Sequence, residues 1–118
     1  MVIVDTSVWV NHFYKRDLKL EALLHNNEVI MHEFIVGELA CGNLKNRNLI
    51  LSLFDTLPKA ETVNSEKYLH FLEKQKLFGL GLGFVDLHLL VSAYLSENHL
   101  FTYDKALAAA AKKFSLLF

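Results

Sequence analysis

Met1-Val2-Ile3-Val4-Asp5-Thr6-Ser7-Val8-Trp9 opens the chain with an apolar run that stops on an acid and passes at once into a helical pattern. Met1–Val4 reads as a short strand buried on both faces, and Thr6–Tyr14 as the helix that follows, with Thr6 or Ser7 at its cap. The same alternation runs through the rest of the chain. Leu18–Leu24 reads as a helix, Glu28–Met31 as a strand, Glu33–Cys41 as a helix stopped by Gly42, and Arg47–Leu57 as a helix ended by Pro58. Thr62 and Val63 form a short extended piece, and Asn64 or Ser65 caps a helix over Glu66–Phe78 closed by Gly79. The glycines from Gly79 to Gly83 lead into a helix over Phe84–Ser96, with Asn98 as its stop. A strand at His99–Thr102, an alanine-rich helix at Lys105–Lys113 and a last strand at Phe114–Phe118 complete the reading. Apolar strands separated by helices predict an α/β fold: a three-layer α/β/α sandwich around a central, mainly parallel sheet. Sites in such sheets form beyond the carboxyl ends of the strands.

A chain of 118 residues holds one domain, residues 1–118. The apolar fraction of 53% exceeds the usual range of about 45–50%, which predicts apolar surface awaiting a partner. A single cysteine, Cys41, excludes an internal disulfide framework and fits a reducing compartment; on its apolar helical stretch it reads as an inert buried thiol. The first residues lack the basic region of a signal peptide, and no apolar run approaches the ~18 residues of a membrane helix. The expected location is the cytoplasm.

Four carboxylates stand out against this apolar background. Asp5 ends the first apolar run and Asp104 follows the run Leu100-Phe101-Thr102-Tyr103, which puts both at the carboxyl ends of strands. Glu38 shares a helical stripe with Phe34, Ile35, Cys41 and Gly42, and Asp86 shares one with Leu89, Leu90 and Ala93, so both are expected to point inward, towards the sheet or a cleft beside it. One such acid is ordinarily a structural hydrogen-bonding group or half of an ion pair. Four with no basic residue on the same faces point to a divalent cation, because crowded carboxylates repel one another unless one neutralises them. Oxygen ligands suit Mg²⁺ or Mn²⁺, and an ion that retains waters suits phosphodiester hydrolysis. Thr6, Ser7 and Thr102 adjoin these acids and are expected to orient them or to bond the waters of the metal.

Net charge is −1, but with those four acids set aside the 12 basic side chains outnumber the acids that remain, which permits contact with RNA. Lys45 and Arg47, just beyond the Glu38 helix, are best placed for it, ahead of Lys74, Lys76, Lys105, Lys112 and Lys113. Trp9, Phe13 and Tyr14 have rings that can stack on bases, although core or dimer packing is their commoner use. His88 lies about 200° round a helix from Asp86 and reads as a packing residue. None of the other histidines has zinc-ligand spacing.

Three stretches carry a resemblance to a known family: Val4-Asp5-Thr6-Ser7-Val8-Trp9; Gly37-Glu38-Leu39-Ala40-Cys41-Gly42-Asn43-Leu44; and Gly83-Phe84-Val85-Asp86-Leu87-His88-Leu89-Leu90 with Thr102-Tyr103-Asp104-Lys105. In this order and spacing the chain resembles the PIN-domain ribonucleases of the VapC toxin type over nearly its whole length. The resemblance implies a Mg²⁺- or Mn²⁺-dependent endoribonuclease with metal acids at Asp5, Glu38, Asp86 and Asp104. It also implies a homodimer, and an antitoxin whose C-terminal segment blocks the acidic cleft. Many relatives carry another acid or Asn shortly after the last Asp, where this chain has Lys105 and Ala106, so one firmly bound ion is expected. Two other enzyme classes share such a sheet and do not match. A haloacid-dehalogenase-type phosphatase needs an Asp where Ser7 stands, and a receiver domain needs an acidic pair near the first strand. The rival of a different class is a PIN-like domain that binds RNA or protein without cutting. Four clustered like charges would bring such a scaffold nothing.

Overall fold

The computed structural model describes residues Met1–Phe118. Strand β1 (Val2–Val4) lies between β2 (Val29–Ile30) and β3 (His99–Phe101) in one sheet of order β2-β1-β3, and both pairings are parallel. The register sets Val2 against Val29 on one side and against His99 on the other. Seven helices flank the sheet: α1 (Thr6–Tyr14), α2 (Leu18–His25), α3 (Glu33–Cys41), α4 (Arg47–Asp55), α5 (Ser65–Gln75), α6 (Phe84–Ser96) and α7 (Lys105–Lys113). This is the expected α/β sandwich with a central parallel sheet. Helix α3 packs on α1 and α4, while α6 packs on α5, α7 and β3.

All three residues of β1 are buried, as a central strand covered on both faces requires. Ile3, Leu89, Leu90 and Leu100 are fully sequestered at the centre of a 25-residue apolar core. Burying each of these contributes about 2–3 kcal/mol relative to leaving it exposed. Trp9 joins that core edge-on to Phe54, with 5.0 Å between ring centroids. His88 packs as anticipated, buried and stacked on Tyr68 with centroids 4.1 Å apart.

The ends of several elements differ from expectation. Helix α5 stops at Gln75 because Lys76 turns left-handed, φ 54°, ahead of the glycine that was to end it. Helix α6 spans Phe84–Ser96 as expected, but its stop is Glu97, φ 55°, and not Asn98. Helix α4 ends at Asp55, and β2 shortens to two residues because Met31 bridges instead to Lys59. The last strand reduces to a single bridge: Leu100 N–H donates to the Leu116 carbonyl and Phe118 N–H to the Leu100 carbonyl, extending the sheet at its β3 edge without a regular strand. Cys41 is exposed, not buried. Helix α3 buries Ile35 and Leu39, one turn apart, and the last residue of the helix falls off that stripe.

Candidate active site

Asp5 follows β1 directly and is 5% exposed. Its backbone N–H bonds the Phe101 carbonyl on neighbouring β3 (2.9 Å), so the sheet fixes its position. It is the N-cap of α1, yet its side chain makes no cap bond. Its Oδ2 instead accepts from Ser7 Oγ (2.8 Å) and Thr102 Oγ1 (2.7 Å). Each hydroxyl is in turn oriented by a backbone amide: Tyr103 N–H donates to Ser7 Oγ and Asp104 N–H to Thr102 Oγ1, both at 3.0 Å. With their lone pairs so engaged, both hydroxyls turn their protons to Asp5. Ser7 therefore serves the carboxylate, not the helix cap.

The other three acids are more open than Asp5. Glu38 is exposed on α3, beside the buried Ile35–Leu39 stripe, and its Oε1 accepts from Thr6 Oγ1 (2.6 Å). Asp86 occupies the first turn of α6, before the buried run that starts at Leu87, and is half-buried; its Oδ2 accepts the Gly83 N–H (3.4 Å). Asp104 is exposed and caps α7, its Oδ1 accepting the Leu107 N–H (2.8 Å). All four carboxylates follow one pattern: one oxygen is held by the protein and the other has no protein partner.

The four share one field. Burial pushes the Asp86 carboxyl above the ordinary range, the Gly83 N–H opposes this, and the charges of Asp5, Asp104 and Glu38 push it further up. Three of the four stand at helix N-termini, whose partial positive charge favours an anion. As the side chains lie, no three converge closely enough to enclose an ion. The donor set nonetheless suits a hard divalent cation, since each acid presents a free oxygen and their mutual repulsion calls for a counter-charge. Asp5, Glu38, Asp86 and Asp104 are the residues that would hold it.

A groove of about 740 Å³ opens off the Thr6–Glu38 pair, floored by Val10, Phe13, Leu39 and Ile50 and edged by Lys45. The two basic residues of this loop part company here. Arg47 turns its guanidinium onto the Ala40 (2.7 Å) and Gly42 (3.4 Å) carbonyls at the end of α3, whereas Lys45 lines the groove.

One carboxylate escaped the sequence reading. Asp17 is as buried as Asp5, 5% exposed, and its oxygens accept from Tyr103 Oη, Asn11 Nδ2 (3.1 Å) and the Leu20 N–H (3.0 Å). Burial alone would raise its carboxyl; those donors, Tyr103 foremost, outweigh burial and hold it below the ordinary range. The same bond pushes the Tyr103 phenol up to about 12. In sequence Asp17 follows Lys15 and Arg16 and looks like part of a solvated turn. Its helix-capping position was the available signal.

Comparison with known proteins agrees with this architecture. The PIN domain family matches residues 2–113. Ribonuclease VapC32 from two strains of Mycobacterium tuberculosis, CDC 1551 / Oshkosh and ATCC 25618 / H37Rv, is 39% identical over 111 residues, covering 93% of this chain and 90% of the relative in each case. The parallel sheet, the acids gathered beyond its carboxyl edge and these matches lead to one assignment: the chain belongs to the PIN-domain family, in its VapC ribonuclease branch.

Proposed function

We propose that this chain, acting as one domain over residues 1–118, is a Mg²⁺- or Mn²⁺-dependent endoribonuclease and the toxin of a cytoplasmic toxin–antitoxin pair. The observation that carries the reading is the shared pattern of Asp5, Glu38, Asp86 and Asp104, each with one oxygen fixed and one free in a common field. Similarity to a ribonuclease along 93% of the chain supports it.

Bound by these acids, the ion would neutralise the scissile phosphate and lower the pKa of an attacking water. The protein's own part is orientation. Ser7 and Thr102 hold Asp5 so that its free Oδ1 is directed by geometry and not by chance rotation. Thr6 does the same for Glu38. A carboxylate left ionised in this cluster is placed to accept the proton that the water releases. Lys45, along the groove, supplies a contact for a flanking phosphate.

The apolar floor of the groove and its acidic mouth together suit a segment of an antitoxin with apolar side chains and a basic residue at one end. Exposed apolar side chains elsewhere, Leu69, Phe78 and Phe84 among them, suit a homodimer.

The test is cleavage of a panel of structured RNAs by antitoxin-free protein with Mg²⁺ or Mn²⁺. Cleavage that EDTA stops and added metal restores is expected. A protein that binds RNA but cuts none of the panel would move the reading to a binding domain.

A further inference from the structure

The three residues between β3 and α7, Thr102-Tyr103-Asp104, have no regular structure of their own, yet they supply much of the acidic site. Thr102 contributes a hydroxyl to Asp5, and Asp104 contributes a carboxylate. Tyr103 lies between them and is 47% exposed, so packing holds it only in part. One edge of the ring meets Phe101 in a T-shaped contact, centroids 5.3 Å apart. Its two ends are tied in different places. The backbone N–H bonds Ser7 Oγ inside the site, and the hydroxyl bonds Asp17 at the corner between α1 and α2.

Asp17 is a firm post. Its Oδ1 caps α2 through the Leu20 N–H, its Oδ2 also accepts from Asn11, and its own N–H bonds His12 Nδ1 (3.1 Å). Capping a helix needs one oxygen only. The second therefore holds something else, and what it holds is the residue before Asp104.

We propose that Tyr103 is a positioning residue for the acidic site: anchored on Asp17, it holds the Thr102–Asp104 segment against Ser7 and Asp5 and so sets the spacing between the Asp5 and Asp104 carboxylates. The inference rests on the metal-site reading above. Without the phenolic bond, the segment keeps its backbone contacts to Ser7 and Thr102 but loses its tether to the helical layer. The free oxygens of Asp5 and Asp104 then spread over more separations, and an ion that needs both binds less tightly.

The test titrates Mn²⁺ by calorimetry into the full, antitoxin-free chain as wild type, Tyr103→Phe and Asn11→Ala. Thermal melts in EDTA and steady-state RNA cleavage accompany it. Tyr103→Phe keeps the ring and removes only the tether; it is expected to weaken Mn²⁺ binding about 10-fold, the low end for residues acting through a metal's ligands, and to lower kcat with KM unchanged. Asn11→Ala removes the other donor to the same Asp17 oxygen; it is expected to lower the melting temperature and leave Mn²⁺ affinity within about twofold, as an interaction away from the ligands should. Asp17→Asn leaves one accepting oxygen where Asp17 uses two, so the Leu20 cap and the Tyr103 tether compete for it; it gives an intermediate loss and replaces Tyr103→Phe should that variant not fold. Unchanged Mn²⁺ affinity in Tyr103→Phe, or an equal loss in Asn11→Ala, would overturn the proposal. A wild-type protein that binds no Mn²⁺ brings down the metal site and the tether with it. One that binds Mn²⁺ but cuts no RNA overturns only the nuclease reading, and the ratio of affinities still decides the role of Tyr103.

Discussion

Asp5 and Asp17 are equally buried and each stands at the N-cap of a helix, yet they are spent in opposite ways. Asp17 uses both oxygens: one on its own helix, the other on Tyr103 and Asn11. Asp5 makes no cap bond, gives one oxygen to two hydroxyls, and leaves the other without a protein partner. Burial therefore does not distinguish the two acids. The spare oxygen does.

Exchanging the roles of the two acids should produce the largest effects. Asp5→Asn keeps an oxygen for Ser7 and Thr102, so the fold should persist while RNA cleavage drops by at least about 100-fold, the scale of a lost ligand or base. Asp17→Ala should do the reverse. It strands the cap, Asn11 and Tyr103, and should lower stability by about 2–3 kcal/mol in denaturant melts while cleavage survives in reduced form. Loss of stability in the first variant or abolished cleavage in the second would break the contrast.

A smaller effect tests the shared field. The Asp86 carboxyl is raised, so below the ordinary carboxylate range its protonation favours the folded state, and that advantage is lost as pH rises through the raised value. At neutral pH the metal-free fold thus carries a penalty. Asp86→Asn should raise the melting temperature in EDTA at pH 7 by a few degrees, and the advantage should vanish near pH 3 and with saturating Mn²⁺. A gain unaffected by pH would mean that neither burial nor the neighbouring acids penalise the Asp86 charge.

The smallest effect separates Lys45 from Arg47. Lys45→Ala should raise KM for RNA severalfold, more at low salt, with stability unchanged. Arg47→Ala, which releases the carbonyls at the end of α3, should show in melts first.

The sequence already disclosed the sheet and the four acids, because strand ends and helical stripes are local signals. Asp5 and Asp104 were legible as acids terminating apolar runs. What stayed hidden depends on partners far along the chain. Asp17 sits in a charged turn, and one of the partners that make it an anchor, Tyr103, lies 86 residues later. Glu38 and Asp86 were expected to point towards the sheet or a cleft beside it, and both lie at the edge of an apolar stripe, not within it. Cys41 was expected to be buried, and it falls off the Ile35–Leu39 stripe at the end of α3. The tail at Leu116–Phe118 has strand composition but makes only a bridge at the outer edge of β3.

The register of the sheet also governs when the acidic cluster comes together. β1 leaves the ribosome long before one of its two partners, β3, with Val2 set against His99. Parallel pairing across such a separation cannot form while the intervening chain is unmade. Asp5 therefore stays without Thr102, Ser7 without the Tyr103 amide, and the acidic cluster without Asp104 until translation has passed all three. A growing chain lies beside messenger, transfer and ribosomal RNA. By drawing its acidic cluster from stretches 97 residues apart, this one leaves the cluster unassembled until the later stretch has been made.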